Sequence, residues 1–214
     1  MKLSIEPGKE KWKKAWNNNS FRYYFSITFV LFMGVIFVYG RFLDHIEERP
    51  GNILSDPILN LFSPIDVTWF TFGAIYISVI LALFYLSQHP VNLLTALQAY
   101  ILIAFARMAS MYLTPLDPPP LLIPLEDPFV QSVSTGVLTK DLFFSGHTST
   151  MFLLYLCCQN RKMKIIFLIC TILVGLFVLV QHVHYSIDVL AAPFYAYSCY
   201  KISHFFTKKM SIEP

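Results

Sequence analysis

From Val67 to Ala106 the chain runs forty residues without an Asp, Glu, Lys or Arg. A bilayer-crossing helix takes about 20 apolar residues, so this run is too long for one crossing and fits two. Gln88-His89-Pro90 interrupts it near the middle. Proline cannot continue a helix from its own N–H and disfavours helical geometry in the residue before it. The run therefore predicts a tight hairpin between a second and a third membrane span.

Composition extends the same constraint to the rest of the chain. Of 214 residues 56% are hydrophobic and 14% charged, with a mean hydropathy of +0.56. A soluble domain carries about 25% charged residues, and a disordered chain has low hydrophobicity. Both classes are excluded. Cys157, Cys158, Cys170 and Cys199 sit inside apolar runs without motif spacing, which excludes a disulfide scaffold. The first span is predicted at Tyr23–Gly40, behind Lys9, Lys11, Lys13 and Lys14. Its exit, Val38-Tyr39-Gly40-Arg41, lacks the small-x-small pattern of a cleaved signal, so a retained helix is expected. A polar interval from about Tyr112 to Asp141 holds Pro115, Pro118, Pro119, Pro120, Pro124 and Pro128, which favour turns. Span four follows from Ser145 to about Gln159, span five from Ile165 to about Val180, and span six from about Tyr185 to Phe206.

The fold expected is all-α: a polytopic membrane protein with six transmembrane helices and both termini cytoplasmic. It divides into a basic N-terminal segment (1–22), a membrane domain (23–206) and a short tail (207–214). The orientation rests on Lys and Arg. With the N-terminus inside, Lys2, Lys9, Lys11, Lys13, Lys14, Arg22, Arg161, Lys162, Lys164, Lys201, Lys208 and Lys209 are all cytoplasmic. Only Arg41, Arg49, Arg107 and Lys140 remain outside. The net charge of +3 is thus sorted by membrane side and is no sign of a nucleic-acid partner.

That topology gathers ionisable residues at one face. The outer ends of spans three, four and six hold Arg107, His147, and the pair His184 and Asp188. Ionisable groups inside a membrane domain are costly and are functional candidates by default. His184 and Asp188 share a face of a helix start, expected to be partly exposed. A carboxylate on one imidazole nitrogen fixes the tautomer and leaves the other free as base or nucleophile. The plainer alternative is a polar pair closing a helix end. Ser145-Gly146-His147-Thr148 offers an N-cap, a position open to close approach, and a helix N-terminus that favours phosphate. Here the alternative is an ordinary helix start that includes a histidine. His182 and His184, with His147 and Asp188, also leave a metal site open, although no cysteine or second carboxylate completes a set. A proton relay or transporter is disfavoured, because these residues cluster at one face.

The segment Asp141-Leu-Phe-Phe-Ser-Gly-His147-Thr148, with His184-Tyr-Ser-Ile-Asp188, resembles the sphingomyelin synthase family. That family sits within the lipid phosphatase and phosphotransferase superfamily. Arg107 through Pro119 resembles its segment after span three. Glu48-Arg49-Pro50, Asp56-Pro57 and Pro64-Ile65-Asp66 resemble its first outer loop. The chain departs from the phosphatase branch, lacking its Lys-x6-Arg-Pro block and its Ser-Arg pair before the last histidine. Lys140 stands where relatives often have glycine, a position expected to tune the headgroup.

The resemblance implies transfer of a phospho-headgroup, such as phosphocholine, from a glycerophospholipid to a lipid alcohol such as ceramide. His147, His184 and Asp188 would be catalytic, and Arg107, Asp141, Ser145, Gly146 and Tyr185 would contact phosphate or substrate. No metal or organic cofactor is expected. The partners implied are the donor phospholipid and the acceptor alcohol, in an embedded protein compatible with homo-oligomers. The site would lie on the lumenal, extracellular or periplasmic face. Hydrolysis by the same residues, as in a lipid phosphatase or phospholipase C, is the alternative.

Overall fold

The computed structural model describes residues 8–125 and 138–209. Among them are seven α-helices, one 3-10 turn (Leu59–Leu61) and no strand longer than the bridge between Asn52 and Leu116. The helices are α1 (Gly8–Asn17), α2 (Asn19–Glu47), α3 (Thr68–Leu86), α4 (Pro90–Leu113), α5 (Gly146–Cys157), α6 (Arg161–Val180) and α7 (Ser186–Lys209). Residues 1–7, Glu126 and Asp127, Pro128 of the proline-rich interval, and the end of the tail lie outside the described residues.

Local chemistry sets the helix boundaries. Asn18 caps α2 by accepting from the amides of Ser20 (2.9 Å) and Phe21 (3.3 Å). The expected break falls at Ser87–His89, and Pro90 begins α4 where its missing N–H costs nothing. Ser145 Oγ accepts from Thr148 N at 3.3 Å to start α5. Asn160 does the same for α6, accepting from Lys162 N at 2.9 Å. The first span is longer than the uncharged run suggested, because charges near the ends of α2 point outward without stopping the helix. Asp44, for instance, pairs with Arg41 one turn away at 3.6 Å.

Helices α2, α3, α4 and α6 are long and apolar enough to cross a membrane. Helix α5 has 12 residues, about 18 Å of rise, short of the ~30 Å hydrocarbon layer. It is the inner element, packed against α3, α4, α6 and α7. Ala96, Ala99 and Ile103 of α4 meet Leu153 and Cys157 of α5 and Ala192, Ala196 and Cys199 of α7 in one core. Small residues there let the helix backbones approach closely. Phe144 lies on the same core, its ring stacked on Tyr195 at 4.1 Å. The bulky side chains point the other way: Phe29, Phe84 and Phe194 are exposed on the outer faces. That arrangement suits a lipid surround, where the outside is as apolar as the core.

The connections 48–67 and 114–125 fold over one end of the bundle. Asn52 N donates to Pro115 O (3.0 Å), and Asp117 N donates to Asn52 O (3.1 Å). A Cβ at Gly51 would lie 2.4 Å from the backbone of Leu116, so this crossing requires glycine. Gln181, fully buried, ties the layer to α6, accepting from Val67 N (3.2 Å) and donating to Thr68 Oγ1 (2.8 Å) and Ile123 O (3.3 Å).

Candidate active site

Three helix ends converge beneath that layer: the last turns of α4, the start of α5 and the start of α7. Ser145 N donates to Asp188 O at 3.1 Å, so the starts of α5 and α7 are joined directly. Their histidines consequently meet. The rings of His147 and His184 stand edge to face with centroids 6.4 Å apart.

His184 Nδ1 faces Asp188 Oδ2 at 3.3 Å. Since a carboxylate accepts, Nδ1 carries the proton and Nε2 keeps its lone pair. The same carboxylate oxygen accepts from Tyr185 N at 3.1 Å, which fixes its rotamer. Asp188 Oδ1 has no hydrogen-bond partner among the described residues. Asp188 is the acid in the first turn of α7. His184 was expected to be partly exposed. It is buried, at 1% exposure, because the connections 48–67 and 114–125 cover the start of α7. Burial lowers the His184 pKa below its ordinary value, against the hydrogen bond and charge of Asp188, which raise it. A lowered value keeps the imidazole neutral and therefore nucleophilic.

Arg107 lies beside these groups but faces the chain. Its Nε donates to Tyr39 Oη at 2.6 Å, Nη1 to the carbonyl of Phe144, and Nη2 to Asp141 Oδ1. Tyr39 Oη in turn donates to Asp141 Oδ1 at 3.1 Å. Burial raises the Asp141 pKa, but Arg107, His184 and His147 together more than reverse it and hold the carboxyl below its ordinary range. A Cβ at Gly146 would lie 2.9 Å from the guanidinium carbon, so Gly146 is what admits Arg107 to the start of α5. The segment 141–147 is thus anchored at both its ends by one guanidinium.

The other sequence candidates are also placed. Ser145 is fully buried, its hydroxyl engaged with Thr148 as the cap of α5. Tyr185 is buried and points away from the histidines. Its hydroxyl donates to Asp117 O (2.9 Å) and accepts from Leu54 N (3.2 Å), pinning the covering layer. His182 has a left-handed backbone (φ 56°), and its ring meets Phe62 edge-on while Nδ1 donates to Pro120 O at 3.4 Å. Among the described residues no three His, Cys, Asp or Glu side chains gather as a metal ion would need. His89, between α3 and α4, stacks on Tyr85, and His204 stacks on Tyr200 within α7.

Two contributions were not readable from local spacing. Tyr39 is 68 residues from Arg107, in a helix read only as apolar. Asp56 accepts from Ser186 N (2.6 Å) and Ser186 Oγ (3.0 Å), capping α7 from 130 residues away. Burial raises the Asp56 pKa, but hydrogen bonds from Ser186, Leu59 and Ile58 together outweigh it and leave the carboxyl low.

A family model described as PAP2 superfamily C-terminal matches residues 140–205. The match begins at Lys140, includes His147, His184 and Asp188, and leaves Arg107 outside. It supports a likeness to the phosphatidic acid phosphatase superfamily, whose members are phosphatases and phosphotransferases, without selecting a branch of it. No curated protein matches the chain.

Proposed function

We propose that this protein is a membrane-embedded phosphotransferase of lipid headgroups, resembling sphingomyelin synthase. The observation that carries the reading is the facing pair of imidazoles, one of them oriented through Nδ1 by a buried carboxylate. In the first half-reaction His184 Nε2 attacks the phosphorus of a phosphodiester lipid such as phosphatidylcholine. The bond from phosphorus to the glycerol oxygen breaks, and protonated His147 donates its proton to that oxygen, releasing diacylglycerol. In the second, His147 takes the proton of an incoming lipid alcohol such as ceramide. The alcohol oxygen attacks phosphorus, the P–N bond breaks, and His184 is restored. Asp188 holds the nucleophilic tautomer throughout. With Ser145 N and Thr148 N already engaged, the amides of Gly146 and His147 at the start of α5 stabilise charge on the phosphoryl oxygens. Arg107 adds positive charge at short range and holds the segment that presents those amides.

The topology proposed has six crossings and both termini cytoplasmic. Helices α5 and α7 would complete the four apolar helices, with the non-helical approach to α5 tolerated because it is buried in protein. The site then opens to the non-cytoplasmic face. A cysteine placed at exposed Ile53 would react with an impermeant reagent on intact cells, and one at Lys162 only after permeabilisation. The opposite pattern would reverse the orientation.

The reaction is tested by giving the purified protein a fluorescent ceramide and a mixed phospholipid extract, then identifying labelled products by mass spectrometry. A ceramide phosphodiester with equimolar diacylglycerol supports transfer. Release of water-soluble headgroup phosphate with unmodified ceramide would mean hydrolysis.

A further inference from the structure

Helix α1 reads Gly-Lys-Glu-Lys-Trp-Lys-Lys-Ala-Trp-Asn, four lysines and two tryptophans in ten residues. A helix this short does not stand alone in water. It is held by Trp12, whose Nε1 donates to Ser87 O at 2.5 Å and whose ring meets Phe21 (6.2 Å) and Phe25 (5.5 Å) edge-on. Trp12 thereby docks α1 on the α3–α4 turn. Trp16 beside it remains 44% exposed, and Lys9 and Lys13 are exposed.

The end of α7 reaches the same level. Thr207 meets Thr95 in the second turn of α4 at 3.3 Å, which puts Lys208 and Lys209 beside the start of that helix. Arg161 and Lys162 open α6 at this end too. Of the fifteen Lys and Arg residues among those described, eleven lie here, nine of them exposed, and Glu10 is the one acid. Cations and a half-exposed tryptophan at this end lie where phospholipid headgroups lie.

We infer that α1 and the neighbouring helix ends form a binding surface for the headgroups of anionic phospholipids in the leaflet they face. It is presented by a separate short helix that Trp12 fastens to the bundle and whose second tryptophan, Trp16, stays exposed. The ligand chemistry is a phosphate monoanion with neighbouring acyl chains, which Lys ammonium groups and Trp16 contact together.

The test uses the full-length protein carrying Trp69→Phe, which leaves Trp12 and Trp16 as reporters. It is placed in mixed micelles containing brominated phosphatidylglycerol or brominated phosphatidylcholine at equal mole fraction. Phosphatidylglycerol should quench more strongly, and its advantage should shrink as KCl rises from about 0.05 to about 0.5 M. Lys9→Gln with Lys13→Gln should weaken the apparent affinity for phosphatidylglycerol on the order of tenfold. Lys208→Gln with Lys209→Gln, which leaves α1 untouched, should weaken it in the same direction. Equal quenching by the two lipids would overturn the inference, as would an advantage that survives both double substitutions. Salt-sensitive capture by heparin without any preference between the lipids would assign the surface to a soluble polyanion and overturn it too.

Discussion

The two ends of this helix bundle use charge in opposite ways. Around the histidines, the described residues include eight acids and four cations, and each cation is engaged with the chain. Arg107 holds Asp141, Lys140 pairs with Asp117 at 3.0 Å, Arg41 with Asp44 at 3.6 Å, and Arg49 lies over the Tyr112 ring at 4.7 Å. At the other end, among the described residues, eleven cations face one acid, and most are exposed. Burial explains the contrast. A charge taken out of water must be paired, and pairing fixes geometry. A charge left at the surface needs no opposite charge beside it: Arg22 donates to Asn19 Oδ1, and Lys201 lies over the Tyr197 ring at 5.5 Å.

If charge builds geometry at the first end only, substitutions there should be costly and those at the second should not. The largest effect is expected at His184. His184→Ala should lower headgroup transfer on the order of 10³-fold or more and abolish trapping of labelled headgroup on the protein. Asp188→Asn should come close to it, because an amide can donate and select the wrong tautomer. Lys162→Gln at the basic end should leave the rate unchanged and stability within about 0.5 kcal/mol. Wild-type activity in His184→Ala would sink the mechanism.

Arg107→Ala comes next. It strands the Asp141 carboxylate in a mostly buried position, and losing one partner of such a pair costs about 3 kcal/mol. Thermal unfolding should register that loss, while Arg107→Ala with Asp141→Ala should recover part of it. A double variant less stable than either single would show that the two do not act as a pair. Arg107→Lys should rescue only in part, since one ammonium cannot reach Tyr39, Phe144 O and Asp141 together.

A smaller effect concerns the substrate. With more acids than cations at the site end, a phosphodiester with one negative charge should be preferred to a monoester with nearly two. Phosphatidylcholine or phosphatidylethanolamine should be consumed about tenfold faster than phosphatidic acid, a difference of ~1.4 kcal/mol. Phosphate release from phosphatidic acid that outpaced diacylglycerol release from the diesters would favour the hydrolase.

The smallest is a displacement in pH. Because burial lowers the His184 pKa, the neutral base persists to lower pH than an ordinary imidazole would. The acid limb of the rate profile should therefore fall with a midpoint below ~6.5. A midpoint above that value would mean that a different group limits the rate.

Much of this was legible residue by residue. Pro90 and Ser145 mark their helix starts locally, whereas the helix expected from Ile165 begins at Arg161, because Asn160 caps it a turn earlier. His184 and Asp188 are four residues apart, so their pairing needed only the helical turn. Arg107 was legible as a cation near the site but not as one already engaged. Its partners lie 68, 37 and 34 residues away, and no periodicity links them. Tyr185 is expected to contact substrate from the resemblance alone; that its hydroxyl donates to Asp117 O and accepts from Leu54 N depends on residues 68 and 131 positions away.

What the sequence by itself determined is which segments are apolar, where they break, which end of each carries the lysines, and that one imidazole has a carboxylate one turn away. All of these depend on spacings within a single helix or turn, where the backbone leaves little choice. Only the tertiary structure decided that His147 faces His184, that Tyr39 and Asp141 hold Arg107, and that Asp56 caps α7 from the first outer connection. Those contacts depend on how helices far apart in the chain pack against one another. Small residues such as Ala96, Ala99, Ala192 and Ala196, and the glycine at 146, settle that packing through shape, which a pattern of apolar and polar letters does not encode.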